Sequence, residues 1–170
     1  MSELRLYTFV NFYLSSIQQG IQSAHIAHEL FVKYKNNKNQ IEKIYEWATD
    51  HKTMIVLNGG PNQSIIEINN LFNDIVSDLL FITPFTSFYE DDPSLGGIMT
   101  SVGIILPEEI FAAINAEEVL SLCGYNDLNT NDRKDSFYYV NEDKIITHNY
   151  QKDSREWKII KLIKSCRFAI

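Results

Sequence analysis

Cysteine is scarce in this chain, which has two among its 170 residues. Cys123 and Cys166 lie far apart in the sequence, and no second cysteine or histidine stands at ligand spacing near either one. Zinc sites and disulfide frameworks both need clustered ligands or paired cysteines. We therefore expect two reduced, buried thiols and no metal site. No motif for a cofactor is present, and we expect none.

Long apolar stretches are also missing. No run approaches the roughly 20 residues that a helix needs to cross a bilayer. The first residues, Met1–Arg5, lack the basic-then-apolar pattern of a signal peptide. These two absences predict a protein of the cytoplasm that does not contact membranes.

Positive charge is in deficit, with 15 Lys and Arg against 22 Asp and Glu and a net charge of −7. Binding to a phosphate backbone calls for clustered basic residues, so we expect no binding to extended nucleic acid. Basic residues do gather at 33–43 and recur about every third position over 152–167. The composition leaves a small ligand and a homo-oligomer open.

The apolar pattern predicts alternating strands and helices in the order β-α-α-β-α, which is typical of an α/β layer fold. The predicted elements are a strand over 4–13, helices over 16–34 and 40–49, a strand over 52–58, a helix over 63–80, a strand over 98–106 and a helix over 107–122.

The pattern of residue types changes beyond Gly124. An Asn- and Asp-rich loop at 126–132 precedes a predicted hairpin of 136–140 with 144–150. The last segment, 157–170, fits either a strand or an amphipathic helix. We therefore predict a main domain over 1–125 and a β-rich extension over 126–170 that packs on it.

Residues 14–25 place several amide and imidazole side chains at the start of the first long helix, after a Ser15 or Ser16 N-cap. Gln18, Gln22 and His25 are spaced i, i+4, i+7 and so share a face near the N-terminal turn, whose N–H groups favour anions. The small residues Gly20, Ala24 and Ala27 suit close packing of this helix on its sheet. The structural alternative is a solvated helix face with an ordinary histidine.

A second polar cluster begins with the carboxylates Glu90, Asp91 and Asp92. A strand that starts near Thr100 and Ser101 follows this loop. Carboxylates and hydroxyls would then lie at one end of the sheet, where open α/β sheets often bind ligands. A loop that is merely solvated is the structural alternative.

These motifs together carry a family resemblance over about residues 4–122. Several motifs resemble those of the second, archaeal and eukaryotic type of peptidyl-tRNA hydrolase. They are the sequence QQGIQSAH at 18–25, Trp47 ahead of an apolar strand, the run 88–92, Leu95 and the pair at 100–101. The resemblance is closer to a divergent bacterial and phage branch of that fold. It implies a mixed four-stranded sheet with helices on both faces. It also implies a cleft near the start of the first long helix, where the family hydrolyses the ester that links peptide to tRNA.

The resemblance also assigns individual residues. Gln22 and His25 match family positions, and Asp92 and Thr100 correspond to the family's aspartate and threonine. The family has a lysine where this chain has Gln18. A cation there can hold a phosphate or stabilise an oxyanion, and removing such a donor typically costs roughly a hundredfold or more in rate.

Our leading hypothesis is therefore a binding protein that sequesters a small nucleotide-derived ligand without a metal. In one version, a phage protein captures a nucleotide signal of host immunity. Phe88 or Tyr89 would stack on a ring of the ligand, while the other side chains supply hydrogen bonds. The residues expected to bind the ligand are Gln18, Gln19, Gln22, His25, Tyr89, Glu90, Thr100 and Ser101.

Two alternatives belong to other functional classes. In an esterase acting on peptidyl, aminoacyl or nucleotide esters, His25 or Asp92 would activate water, while Gln22 and Thr100 would orient the scissile group. In an interaction module, the basic C-terminal segment would dock a partner chain through exposed apolar residues such as Trp157 and Ile160.

Overall fold

The computed structural model describes residues 2–76, 82–91, 96–123 and 135–169. The chain forms two compact units, of which the first comprises Glu3–Pro107 with Cys166–Ile170 and the second comprises Ser2 with Glu108–Ser165. The predicted domain boundary after residue 125 lies outside the described residues.

The first unit is an α/β structure built on a four-stranded mixed sheet, as predicted. The strand order is β2-β1-β4-β3, with β1 parallel to β2 and β4 antiparallel to both β1 and β3. Its elements are β1 (Leu4–Val10), α1 (Ser16–Tyr34), α2 (Lys38–Glu46), a π-helical turn (Trp47–His51), β2 (Thr53–Asn58), α3 (Asn62–Ile75), β3 (Phe85–Tyr89) and β4 (Met99–Pro107).

Helices cover both faces of this sheet. Thr8 of β1 hydrogen-bonds to Ser23 of α1, with 2.9 Å between the hydroxyl oxygens. The ring of the next residue, Phe9, meets Phe72 of α3 edge-on. Because successive strand residues point to opposite faces, α1 and α3 lie on opposite sides of β1. The core cluster on the α1 side contains Leu4, Leu6, Ile26, Leu30, Ile44, Trp47 and Ile105.

A glycine on the sheet determines how closely α1 approaches it. A Cβ atom at Gly103 of β4 would collide with the side chain of Ile26, so the absence of a side chain there lets the helix sit close. The expectation that Gly20 and Ala24 of α1 serve the same purpose was wrong. Both are exposed, whereas Ala27 packs on the core as expected.

The helix predicted over 40–49 is α2 followed by the π-helical turn, and two further stretches of the first unit differ from the predicted elements. β1 ends at Val10 rather than 13, because the Asn11 side chain accepts a hydrogen bond from the Tyr13 backbone and turns the chain. No strand was predicted over Phe85–Tyr89, yet this segment pairs with β4 as the edge strand β3.

The second unit contains an antiparallel three-stranded sheet in the order β5-β6-β7. The predicted hairpin is present as β6 and β7, whereas the predicted helix over 107–122 is divided by β5, which pairs with β6. The elements are α4 (Glu108–Phe111), β5 (Ile114–Asn115), α5 (Ala116–Cys123), β6 (Phe137–Val140), β7 (Ile146–Tyr150) and α6 (Arg155–Ser165).

The ambiguous final segment forms a helix over most of its length. Trp157, Ile160 and Ile163 of α6 are buried, so the exposed apolar surface that an interaction module requires there is not found. Cys123 and Cys166 form no disulfide, and both are half-buried rather than buried. Among the described residues, no helix has the length and apolar character needed to cross a membrane.

Candidate functional site

The candidate site begins where the chain enters α1. Ser15 caps the helix by accepting a hydrogen bond from the Gln18 backbone N–H, and the Gln18 side-chain oxygen accepts one from the Ser15 backbone in return. This reciprocal pair satisfies two backbone donors. The loop before it is tied to β4, because the Asn11 N–H donates to the Thr100 carbonyl at 3.0 Å. The turn therefore holds the first residues of α1 against the beginning of β4.

Gln22 is the centre of the polar cluster, and 7% of its surface is exposed. Its Oε1 accepts a hydrogen bond from Thr100 Oγ1 at 2.7 Å, and its Nε2 donates to Glu90 Oε2 at 3.0 Å. The Ser101 hydroxyl donates to the Gln22 backbone carbonyl at 3.4 Å. One amide side chain thus connects α1, β4 and the residue that follows β3.

The cluster keeps unused hydrogen-bonding capacity. A glutamine amide has a second N–H, a carboxylate has a second oxygen, and a hydroxyl oxygen has lone pairs to spare. Glu90 is half-buried, and its neighbour Asp91 is exposed. The two carboxylates suit a ligand that offers hydroxyl or amino donors, and they repel a phosphate.

An aromatic stack lies one turn further along α1. The His25 imidazole is parallel to the Phe88 ring of β3, with 4.2 Å between centroids and 2° between planes. His25 is exposed, and so is Tyr89, the next residue of β3. A planar ligand can extend such a stack, because its π face needs no particular hydrogen-bond pattern.

The structure brings together Gln22, Glu90, Thr100 and Ser101 among the residues predicted to bind a ligand. Gln19 is used differently, because its buried amide donates to the Leu14 carbonyl at 3.0 Å and holds the turn before the helix. Gln18 lies at the cap with its amide oxygen engaged. Asp92 lies outside the described residues.

Sequence reasoning missed two supporting residues. Asn11 fixes the turn, and an asparagine directly after a strand is a signal that could have identified it. Lys33 donates from Nζ to the Phe85 carbonyl at 2.8 Å and lies 4.1 Å from the centre of that ring. Burial lowers the pKa of Lys33. This lysine belongs to the basic stretch 33–43, but its contact was not predicted, because its partner is a backbone atom of a strand that was not predicted.

Within the described ranges, no group of three or more His, Cys, Asp or Glu is arranged to hold a metal ion. No protein-family model and no curated protein sequence matches this chain. The chemical features of the candidate site are the polar cluster around Gln22 and the stack of His25 on Phe88.

Proposed function

We propose that the first unit binds a small nucleotide-derived ligand at the Gln22 cluster and the His25–Phe88 stack. The observation that carries the proposal is the Gln22 amide, which is buried yet bonded to two polar side chains from distant parts of the sequence. Burying polar groups is costly unless they are hydrogen-bonded, and an apolar core would need none of them. The resemblance to the second family of peptidyl-tRNA hydrolases supports the same location, because it implies a cleft at the start of this helix.

The charges favour recognition of the nucleoside part of the ligand. Glu90 accepts hydrogen bonds and would receive a ribose hydroxyl or a base amino group, while the base stacks on His25. Residues 6–28 contain no Lys or Arg, so the start of α1 supplies neither of these cations for a phosphate. We therefore expect affinity to depend on base and ribose more than on the number of phosphates.

Binding is favoured over ester hydrolysis for a related reason. The position that holds a lysine in the resembling hydrolases is Gln18, whose oxygen is engaged by the helix cap. Without a cation there, the oxyanion of an ester hydrolysis lacks one of the donors that could stabilise it. In the esterase alternative, His25 or Asp92 is the group that activates water. Turnover of an ester substrate would distinguish this alternative from ligand binding alone.

The test compares two histidines of the same helix. Purified protein is analysed by native mass spectrometry for a retained ligand, and titration calorimetry then measures the binding of nucleosides and of mono- and dinucleotides. We expect an unmodified ligand, and His25→Ala should weaken its binding about tenfold or more, since stacking contributes about 1–3 kcal/mol per base. His28→Ala is the matched control, because His28 is also exposed on α1 but does not stack on Phe88.

The same experiment has outcomes that contradict the proposal. If no nucleoside or nucleotide binds, or if both histidine variants bind like the wild type, the ligand site is not at the stack. If the wild type converts an aminoacyl or nucleotide ester and His25→Ala does not, the protein is an esterase instead.

A further inference from the structure

The chain contains a long uncharged stretch that is partly on the surface. Between Arg5 and Glu29 no Asp, Glu, Lys or Arg occurs, although 22% of the whole chain is charged and its net charge is −7. Part of this stretch is the buried strand β1, for which absence of charge is expected. The rest is the following turn and the first three turns of α1, where charge would normally accompany exposure.

Part of the exposed surface of this stretch is apolar, alongside exposed polar side chains such as Gln18 and His25. Tyr13 is 76% exposed, Ile17 78% and Ile21 49%. On α1, positions 17, 21, 24 and 28 are spaced i, i+4, i+7, i+11 and share one face. The buried positions 19, 23, 26 and 30 lie on the opposite side. We call the surface formed by Ile17, Gly20, Ile21 and Ala24 the α1 outer face.

Gly20 is the least expected residue of this face. Glycine inside a helix lowers helix stability relative to alanine, so it is usually kept where a close approach requires it. A Cβ atom at Gly20 would meet no atom within 4 Å among the residues that the structure describes, its chain neighbours and its own helix backbone aside, in contrast to Gly103. Within the described part of one copy, no contact therefore requires a glycine at this position.

We propose that two copies of this chain associate through the α1 outer face, with the two helices crossing near Gly20 and Ala24. Two molecules of net charge −7 repel each other, and this face lets them meet without opposing like charges. Small side chains at the crossing let the backbones come close, and flanking isoleucines fill the space around it. A two-fold pair also needs a surface that complements itself, which an uncharged apolar face provides.

The occupant is a second copy rather than another class of partner. A nucleic acid requires cations that residues 6–28 lack, and a partner selected by charge would find none to pair with. This association goes beyond the proposed ligand binding, because it requires neither the ligand nor the Gln22 cluster.

The test measures the mass of the full chain by sedimentation equilibrium from about 1 µM to about 1 mM. We expect twice the protomer mass at the upper end. Ile21→Glu and Ile21→Lys should each reduce it to one protomer, because like charges then face each other across the two-fold axis. An equimolar mixture of the two variants should restore the dimer, since the introduced charges are then opposite.

Gly20→Leu supplies an independent variant. It should also weaken the dimer at least tenfold, while the far-ultraviolet circular dichroism stays that of the wild type, because a Cβ at this position has open space around it in the described structure. Ile145→Glu is the control, since Ile145 is exposed to a similar degree in the second unit. It should leave the dimer unchanged.

Three results would overturn the proposal: a wild type that stays one protomer at all concentrations, folded Ile21 and Gly20 variants that dimerise like the wild type, or a mixture of the charged variants that stays monomeric. The last result would mean that the face serves a different partner.

Discussion

At the scale of single residues, Gln22 shows what the sequence can and cannot predict. Its spacing from Gln18 and His25 predicts that it faces the start of the helix. Nothing local predicts that it is buried or that Glu90 and Thr100 are its partners, because these residues lie 68 and 78 positions away. The pairing of β4 with β1 and β3 completes the cluster.

Replacing Gln22 with leucine should destabilise the protein. Thr100 and Glu90 would each lose a partner, and leaving buried polar groups unpaired costs about 1–3 kcal/mol. We expect Gln22→Leu to lower the free energy of unfolding in urea by about 2 kcal/mol. Gln63→Leu is the control. Gln63 is exposed on α3, and within the described structure its side chain forms a hydrogen bond only with Glu67. Similar losses in both variants would contradict the role of the cluster.

Tyr150 should make the protein sensitive to alkali. Burial raises the pKa of its phenol well above the usual value of 10.0, and its hydroxyl donates to the Glu109 carbonyl at 3.0 Å. The unfolded chain loses this proton near pH 10 while the folded chain keeps it. The free energy of unfolding should therefore fall as the pH rises above about 10, by at most about 1.4 kcal/mol per pH unit from this group.

Urea unfolding of the wild type and Tyr150→Phe between pH 8 and pH 11 measures this contribution. We expect the variant to be less stable by about 1 kcal/mol at pH 8, because it lacks the hydrogen bond. Its stability should then decline less steeply above pH 10. Equal slopes for the two proteins would show that Tyr150 ionises alike in both states.

At the scale of elements, prediction succeeded where local chemistry decides the outcome. The bounds of α1 agree with the structure because a serine cap precedes a clear helical period. The helix predicted over 107–122 failed because Ile114 and Asn115 pair with β6, which is distant in sequence. The strand Phe85–Tyr89 was missed for the same kind of reason. It is held by pairing with β4 rather than by residues adjacent to it in the sequence.

The cap of α1 can be tested with adjacent serines. Ser15→Ala removes the side-chain acceptor of the Gln18 N–H, and losing an N-cap side chain typically costs about 1 kcal/mol. We expect thermal unfolding of Ser15→Ala at a lower midpoint than that of Ser16→Ala, whose hydroxyl is exposed in the first turn. A reversed order would mean that Ser16 provides the cap in solution.

At the scale of the whole molecule, the C-terminal residues of the first unit cover one edge of its sheet. The Asn58 N–H donates to the Arg167 carbonyl at 2.8 Å, and the Ala169 N–H donates to the Val56 carbonyl at 3.0 Å. Phe168 is bridged to Leu57 between these bonds. The sequence indicated no such role, because three residues are too few to show a strand period.

Deleting residues 166–170 should destabilise the first unit and uncover the edge of β2. Two lost backbone hydrogen bonds correspond to about 1–3 kcal/mol of unfolding free energy. An open edge strand also promotes pairing between molecules, so light scattering on heating should begin earlier. Phe168→Ala is the control, since its ring is 70% exposed and its backbone bonds are kept. Equal behaviour of the two variants would show that the backbone pairing contributes little.

Because the chain returns to the first unit at Cys166, the last segment of the first unit is synthesised after the second unit. Residues 108–165 belong to the second unit, so the ribosome must make that entire unit before the last segment of the first sheet exists. At about 5–20 residues per second, this takes roughly 3–12 s, during which the edge of β2 lacks its covering segment. A nascent chain of this protein therefore passes through a period of seconds in which the exposed edge is open to chaperones and to neighbouring nascent chains.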